Sequence, residues 1–271
     1  LKTVVSEIMA IGSSTVGACG DVSRNVMTTP APFVSKPYSY AREYSKIMAE
    51  LFKPSSTAFT ELWMDNGIKV AKMEYWRKDI DDDVVQKAYK YDNGRGIIVK
   101  NKQNVVHNEP LYGSVYLPRK FKIGVTVPGD NSIDLYINDI GIVVITDSND
   151  NLLGFNVAVG GGMGRTHNKE DTFARVADHL GFVPKDDIME VCKAILAVQR
   201  DHGNREIRSN ARMKYLVHSL GIEAFKTLVE QYHGKLIAPW REIVPWKYKD
   251  WMGWHEQGDG KLFLGINIEQ G

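Results

Sequence analysis

Apolar and polar positions alternate between two periods along this chain. Val4, Val5, Ile8 and Met9 recur at helical spacing, which predicts a short helix giving way to a loop at Gly12-Ser13-Ser14. A second helical pattern runs from Tyr40 to Phe52 through Tyr44, Ile47, Met48 and Leu51, and Pro54-Ser55-Ser56 ends it. From Tyr116 the period changes to two. Lys122 to Val127 alternates, Ile140 to Thr146 is nearly all β-branched, and Leu152 to Val159 runs into Gly160-Gly161-Gly162, so at least three strands are predicted. The helical period then returns. Phe173, Val176, Ala177 and Leu180 predict one element, and Ile188, Val191, Cys192, Ile195, Leu196 and Val198 a second, opened by Pro184 and a capping Asp186. Two more helices are expected near Arg208 to Ser219 and Ile222 to His233, with Gly221 and Gly234 as C-terminal stops. Pro239 and Pro245 mark a linker into a final alternating run, Leu262 to Ile268. The fold class is α+β. Residues 65–108, with the acidic run Asp79 to Asp83 and the glycines Gly94 and Gly96, are expected to form a surface insertion that is partly strand.

Composition narrows the function classes. The 271 residues, 43% hydrophobic and 25% charged, fit a globular protein, and a formal charge of +1 argues against a polybasic nucleic-acid binder. The two cysteines, Cys19 and Cys192, are too few for a four-thiolate metal site or a disulfide framework, and their scarcity points to an intracellular chain. Histidines 107, 179, 218, 233 and 255 lack ligand spacing, so no histidine metal site is expected. No apolar run is long enough to span a bilayer, and no signal peptide opens the chain, so no membrane is expected as a partner. A start at Leu1, and a stop just after a strand-like run, predict an internal piece of a longer protein.

Charge matters where it is concentrated. In Pro118-Arg119-Lys120-Phe121-Lys122 the strand period puts Lys120 and Lys122 on one face, about 6–7 Å apart along the backbone. Two ammonium groups so close repel each other and favour an anion between them, unless the face is simply solvated. Val159 to His167 is a glycine-rich turn after a strand, where backbone N–H groups could form an anion nest, though a plain loop fits equally well. It lacks the dinucleotide-binding spacing. Gln199 to Arg205, continued by Arg208, Arg212 and Lys214, gathers cations at a helix junction, with Arg208 and Arg212 expected on one helical face. Arginine forks there suit carboxylates, and a solvated basic face is the alternative. Gly20 to Val26 carries a single arginine, Arg24, in a polar turn.

Taken together, these stretches resemble the sirohaem-dependent sulfite and nitrite reductases, most closely the ferredoxin-dependent sulfite reductases. The likeness is carried by Gly17-Ala-Cys-Gly-Asp-Val-Ser-Arg-Asn-Val26, Tyr116-Leu-Pro-Arg-Lys-Phe-Lys-Ile-Gly-Val-Thr-Val-Pro128, Asn131 to Asp147, Gly154 to His167, Gln199 to Arg208 and Gly253 to Gly260. It covers residues 1–60 and 110–271. The resemblance implies a parent enzyme that reduces sulfite to sulfide by six electrons taken from ferredoxin, at a sirohaem coupled to a 4Fe–4S cluster. It implies that Arg24, Lys120 and Lys122 hold the anion and relay protons. Arg119, Gly161, Gly162, Gly164, Arg165, Asn204, Arg208 and Arg212 would contact the sirohaem. The four cluster cysteines of the family are absent from this chain, as is an upstream substrate-binding arginine, so the fragment alone is expected to be inactive.

The domain expectation is a first ferredoxin-like half-domain ending at residues 1–16, a sirohaem and substrate lobe over 17–250, and a second half-domain opening at 251–271. Sulfite is favoured over nitrite because Lys-Phe-Lys stands at 120–122 where nitrite-reducing relatives typically carry Lys-Trp-Asn. A nitrite reductase of the same family is the first alternative, and a non-enzymatic anion or nucleic-acid module is the second. The expected compartment is cytoplasmic, or plastid in a photosynthetic eukaryote.

Overall fold

The computed structural model describes residues 21–54, 61–63, 69–72, 99–100, 106–107, 110–113, 116–247 and 249–267. The helix expected near Val4 lies outside these residues, with the loop after it and Cys19. The central element is a five-stranded mixed sheet ordered β1-β6-β7-β8-β9. Its strands are β1 (Ser23–Thr28), β6 (Phe121–Thr126), β7 (Ile140–Thr146), β8 (Leu152–Val159) and β9 (Asp178–Pro184). Strands β1, β6 and β7 are parallel to one another, and β7, β8 and β9 are antiparallel in turn. Between β1 and β6 come two small antiparallel pairs, β2 (Glu61–Trp63) with β3 (Lys69–Lys72), and β4 (Val99–Lys100) with β5 (Val106–His107). Of these, β3, β4 and β5 are the described part of the stretch expected to be an insertion, 65–108.

One face of the sheet carries Ile123, Val125, Ile140, Ile142, Val144, Phe155, Val157 and Val159, all buried. Four helices supply the other half of that core: α1 (Lys36–Leu51), α2 (Ile188–His202), α3 (Met213–Leu220) and α4 (Ile222–His233). Helix α1 starts four residues before the apolar pattern does, because Pro37 in its first turn already has the helical φ and loses no hydrogen bond there. Helix α2 starts at Ile188 with Asp187, not Asp186, at its N-cap, and makes no side-chain cap bond. Gly221 and Gly234 do stop α3 and α4, both at positive φ.

The opposite face is covered by a 3-10 turn, Leu135–Ile137, and by extended chain. Gly124 and Gly141 are cross-strand partners, and the hollow they leave admits Leu135, fully buried, beside the Asn138 amide. Buried Asn156 bonds both backbone groups of Arg241, at 2.7 and 3.0 Å, and so ties the 238–247 strap across the sheet.

Residues 178–184 correct one expectation. The spacing of Phe173, Val176, Ala177 and Leu180 predicts a helix, yet residues 173–177 are largely irregular and Leu180 lies in β9. Leu180 and Phe182 also satisfy a two-residue period, and the open edge of β8 decides between the two readings. At Gly181 a Cβ would lie 2.2 Å from the Ala238 carbonyl, so the strap can cross only because no side chain is there. At the end of the described chain, β10 (Gly253–Glu256) and β11 (Leu262–Gly265) form a separate hairpin, shorter than the expected run to Ile268.

Candidate functional site: a cation cluster at one edge of the sheet

Sheet topology brings distant segments to one edge. Strands β1, β6 and β7 begin there, and β8, antiparallel to β7 with Val159 opposite Ile140, ends there. That edge therefore carries Arg24, Arg119 to Lys122, Asn138-Asp139 and Gly160 to Gly162. Phe121 and Ile123 are buried, and Lys120 and Lys122 are half-buried on the other side of the strand, as alternation requires. The β1 register slips between Ser23, opposite Phe121, and Asn25, opposite Lys122, which leaves Arg24 as the extra residue of a bulge. A bulge re-aims its side chain, and this one sits beside the two lysines. The Lys120 ammonium is held below the ordinary lysine range first by burial, then by the positive fields of Arg24, Arg212, Arg119 and Lys122. Four cations from three segments of the chain thus surround one ammonium with like charge.

Arg212 reaches this edge from the N-cap of α3. Its Nη2 donates to Asp139 Oδ2 at 2.9 Å, and the Lys122 backbone N–H donates to the same oxygen at 2.9 Å. Asp139 is completely buried. Burial raises its carboxyl above the ordinary carboxylate range, and Arg212 with the Lys122 N–H offsets only part of that rise. The guanidinium lies against Gly162, where a Cβ would stand 2.7 Å from Nη1. Arg212 Nε and Asp139 Oδ1 are buried with no hydrogen-bond partner among the described residues.

The glycine turn differs from an anion nest. The N–H groups of Gly160, Gly161 and Gly162 already donate to the carbonyls of Asp139, Asn138 and Arg175, so none is left for a ligand. At Gly161 the reason for glycine is close approach, since a Cβ would lie 2.0 Å from the Tyr136 carbonyl. Gly164 has open space around it, and Arg165 is exposed. Lys214, 1% exposed, holds the turn from beneath: its ammonium donates to Gly164 O at 2.7 Å, to Gly162 O at 3.2 Å and to Phe173 O. Sequence reasoning grouped Lys214 with the cations of the helix junction, as a solvated face or a carboxylate clamp. Its neighbours in an apolar helix face, Met213, Leu216 and Val217, were the available sign of burial. Asp139 was missed altogether, and an acidic residue directly before an all-apolar strand was its signal.

The basic helix junction is taken apart by the fold. Arg208 belongs to a single 3-10 turn, Arg208–Asn210, and Arg212 to the extended N-cap of α3, so they do not share a helical face. Arg208 pairs with Asp21 at 3.4 Å and is 60% exposed. Buried Arg200 forks onto both carboxylate oxygens of Asp201 and donates to Leu111 O. Arg205 donates to the Tyr116 and Arg200 carbonyls. Asn204 Oδ1 accepts from the Glu206 and Ile207 N–H groups and shapes the turn. The edge thus gathers Arg24, Arg119, Lys122 and Arg212 around Lys120, with Arg212 lying against Gly162 and donating to Gly161 O. Gly164, Arg165, Asn204 and Arg208 lie on exposed loops, joined where Asn210 donates to Asp171 O at 3.2 Å.

Comparison with known proteins agrees with this architecture. Residues 98–237 match the family described as "Nitrite and sulphite reductase 4Fe-4S domain". The whole chain aligns at 55% identity with 41% of a protein named sulfite reductase (ferredoxin) from Synechococcus elongatus. It aligns at 38% identity with 42% of a protein named sulfite reductase (NADPH) hemoprotein beta-component from Shewanella putrefaciens. Both alignments run through residues 65–108, and the chain spans about two fifths of the length of these relatives. The structure of the Mycobacterium tuberculosis NirA protein superposes on 96% of this chain, and 36% of its own, with a TM-score of 0.57 at 20% identity, a likeness of fold. A family match over more than half of the residues, on a mixed sheet of the same fold, means that this chain belongs to the nitrite and sulphite reductase 4Fe-4S domain family.

Proposed function

We propose that this chain is the substrate-facing lobe of a longer sulfite reductase that takes its electrons from ferredoxin. The observation that carries the reading is the convergence of Arg24, Arg119, Lys122 and Arg212 on Lys120. Cations fixed in a partly dry site stabilise oxyanion charge without reorganising, which suits a doubly charged substrate with oxygens to be protonated. Arg24, Lys120 and Lys122 would bind sulfite, and the Lys120 and Lys122 ammonium groups would hand protons to its oxygens as they leave as water. The 55% identity to a protein named for ferredoxin supports that donor, and the second lysine at 122 supports sulfite over nitrite.

The residues present fit sirohaem, a macrocycle rich in carboxylates. Arg212, with a buried Nε still to be satisfied, and Arg119 would meet carboxylates at the sheet edge, with Arg165, Asn204 and Arg208 on the loops beside it. Gly161, Gly162 and Gly164 would contribute by having no side chain in the way. When bound, sirohaem would supply the electrons that reduce the sulfur of sulfite. A 4Fe–4S cluster does not fit this chain by itself: the sequence holds two cysteines, and the Cys192 thiol is buried in the core and pushed up by that burial. Its ligands would come from elsewhere in the longer protein. Residues 17–250 would then be the lobe itself, with 1–16 and 251–271 belonging to two ferredoxin-like half-domains.

The test is turnover by the full-length protein with reduced ferredoxin. Sulfide released from sulfite, faster than ammonia from nitrite, is the expected result; nitrite as the better substrate moves the assignment to a nitrite reductase, and reduction of neither anion overturns it. The 271-residue chain expressed alone with iron and sirohaem precursors should give no iron–sulfur signal and no sulfide.

A further inference from the structure

Five cations at one edge of a sheet pose a problem that binding an anion does not solve. Before the anion arrives, each charge raises the cost of protonating the next, and an ammonium at the centre is the first to lose its proton. That ammonium is Lys120, faced by Arg24 from β1, by Arg119 and Lys122 on its own segment, and by Arg212 from the start of α3. A lysine that has lost its proton can neither attract sulfite nor deliver a proton.

Asp139 is joined to two of these residues, Lys122 and Arg212. Both groups that touch it, Arg212 Nη2 and the Lys122 N–H, are donors, and both bonds fall on Oδ2. Among the described residues Oδ1 has no acceptor to which a carboxylic acid proton could be given, so the hydrogen bonding favours the ionised form against the pull of burial. A buried carboxylate 2.9 Å from a guanidinium presents Lys120 with a dipole where it would otherwise face a whole positive charge. It also holds the guanidinium against Gly162 and ties the start of β6 to the residue before β7. We infer that Asp139 is a positioning residue of the anion site: acting through Arg212, it offsets enough positive charge to keep Lys120 protonated while fixing where Arg212 and Lys122 stand. The inference rests on the anion-site reading above and deepens it.

Asp139→Asn is a close probe, because the asparagine Oδ1 can occupy the place of Oδ2, keep both hydrogen bonds and remove only the charge. Sulfate, a dianion that is not turned over, is titrated calorimetrically into the sirohaem-loaded full-length protein from roughly pH 7 to 10. For the unsubstituted protein, affinity falls as pH rises through the lowered Lys120 value. In Asp139→Asn that fall moves to lower pH, by about half a pH unit or more, a threefold or greater change in protonation. In a Lys120→Arg background, where the cation does not titrate, Asp139→Asn produces no such movement. A fall left in place, or the same movement in the Lys120→Arg background, overturns the inference while leaving the anion site standing. No sulfate binding by the unsubstituted protein, or a fall unchanged in Lys120→Arg alone, overturns both. If Asp139→Asn does not fold, Arg212→Gln reads the same network from its other end. Removing that positive charge moves the fall to higher pH, and no movement overturns the inference.

Discussion

Two groups of cations in this chain look alike as sequence and behave oppositely as structure. At the helix junction, Arg200 and Arg205 are consumed by the fold: Arg200 by the Asp201 carboxylate and the Leu111 carbonyl, Arg205 by the Tyr116 and Arg200 carbonyls. At the sheet edge, Arg24, Arg119, Lys120, Lys122 and Arg212 face one another, with Asp139 as the buried counter-charge. The first group spends its charge on holding chain segments together; the second keeps charge in reserve for something that is not protein. The number of arginines in a stretch therefore says little about where an anion binds. The supply of acceptors around them says more, since a guanidinium whose donors are matched by carbonyls and a carboxylate has nothing left to offer.

The comparison can be broken most sharply at Arg200. Arg200→Ala leaves Asp201 without its fork and the Leu111 carbonyl without its donor, and should cost about 3–5 kcal/mol of stability in urea unfolding. A loss below about 1 kcal/mol would show that the junction is not structural. Lys214→Met comes next. It strips three backbone carbonyls of one shared donor and should cost about 2–3 kcal/mol, with the glycine turn losing protection from hydrogen exchange before the sheet does. At the sheet edge the order of effects reverses. Lys120→Ala or Lys122→Ala in the full-length protein should weaken sulfite binding at least tenfold, about 1.4 kcal/mol, and lower turnover. Thermal stability should stay level or rise slightly, because a repulsion has been relieved. A fall in stability with unchanged sulfite kinetics would place these lysines with Arg200. The smallest effect belongs to Arg208→Ala, which removes one exposed ion pair to Asp21 and should change stability by less than about 0.5 kcal/mol.

The spread of these predictions follows burial and partners, which spacing along the chain records only in part. Ile140–Thr146 and Leu152–Val159 were read from the sequence with the bounds they have in the structure, because a nearly all β-branched run in the first and an apolar run into glycines in the second leave no competing period. Gly221 and Gly234 were equally plain, since positive φ is a local demand. Residues 173–180 were misread because Leu180 fits a two-residue period with Phe182 as well as the helical one, and the free edge of β8 supplied the deciding hydrogen bonds. The shared face of Arg208 and Arg212 failed for a similar reason: four-residue spacing puts side chains together only where a helix exists, and here a 3-10 turn and an extended N-cap take its place.

What the amino-acid sequence determined by itself was local: which segments can be strand or helix, which faces are apolar, where the chain must turn, and that Lys120 and Lys122 point the same way. What tertiary structure alone decided was which charges meet. Arg24 and Lys120 are brought together by a parallel strand pairing, Arg212 by the start of a helix more than 70 residues after Asp139, and Lys214 is buried by carbonyls from another loop. Periodicity is a property of neighbours along a chain, whereas the electrostatics of a site depends on distances through space, and only the folded sheet sets those.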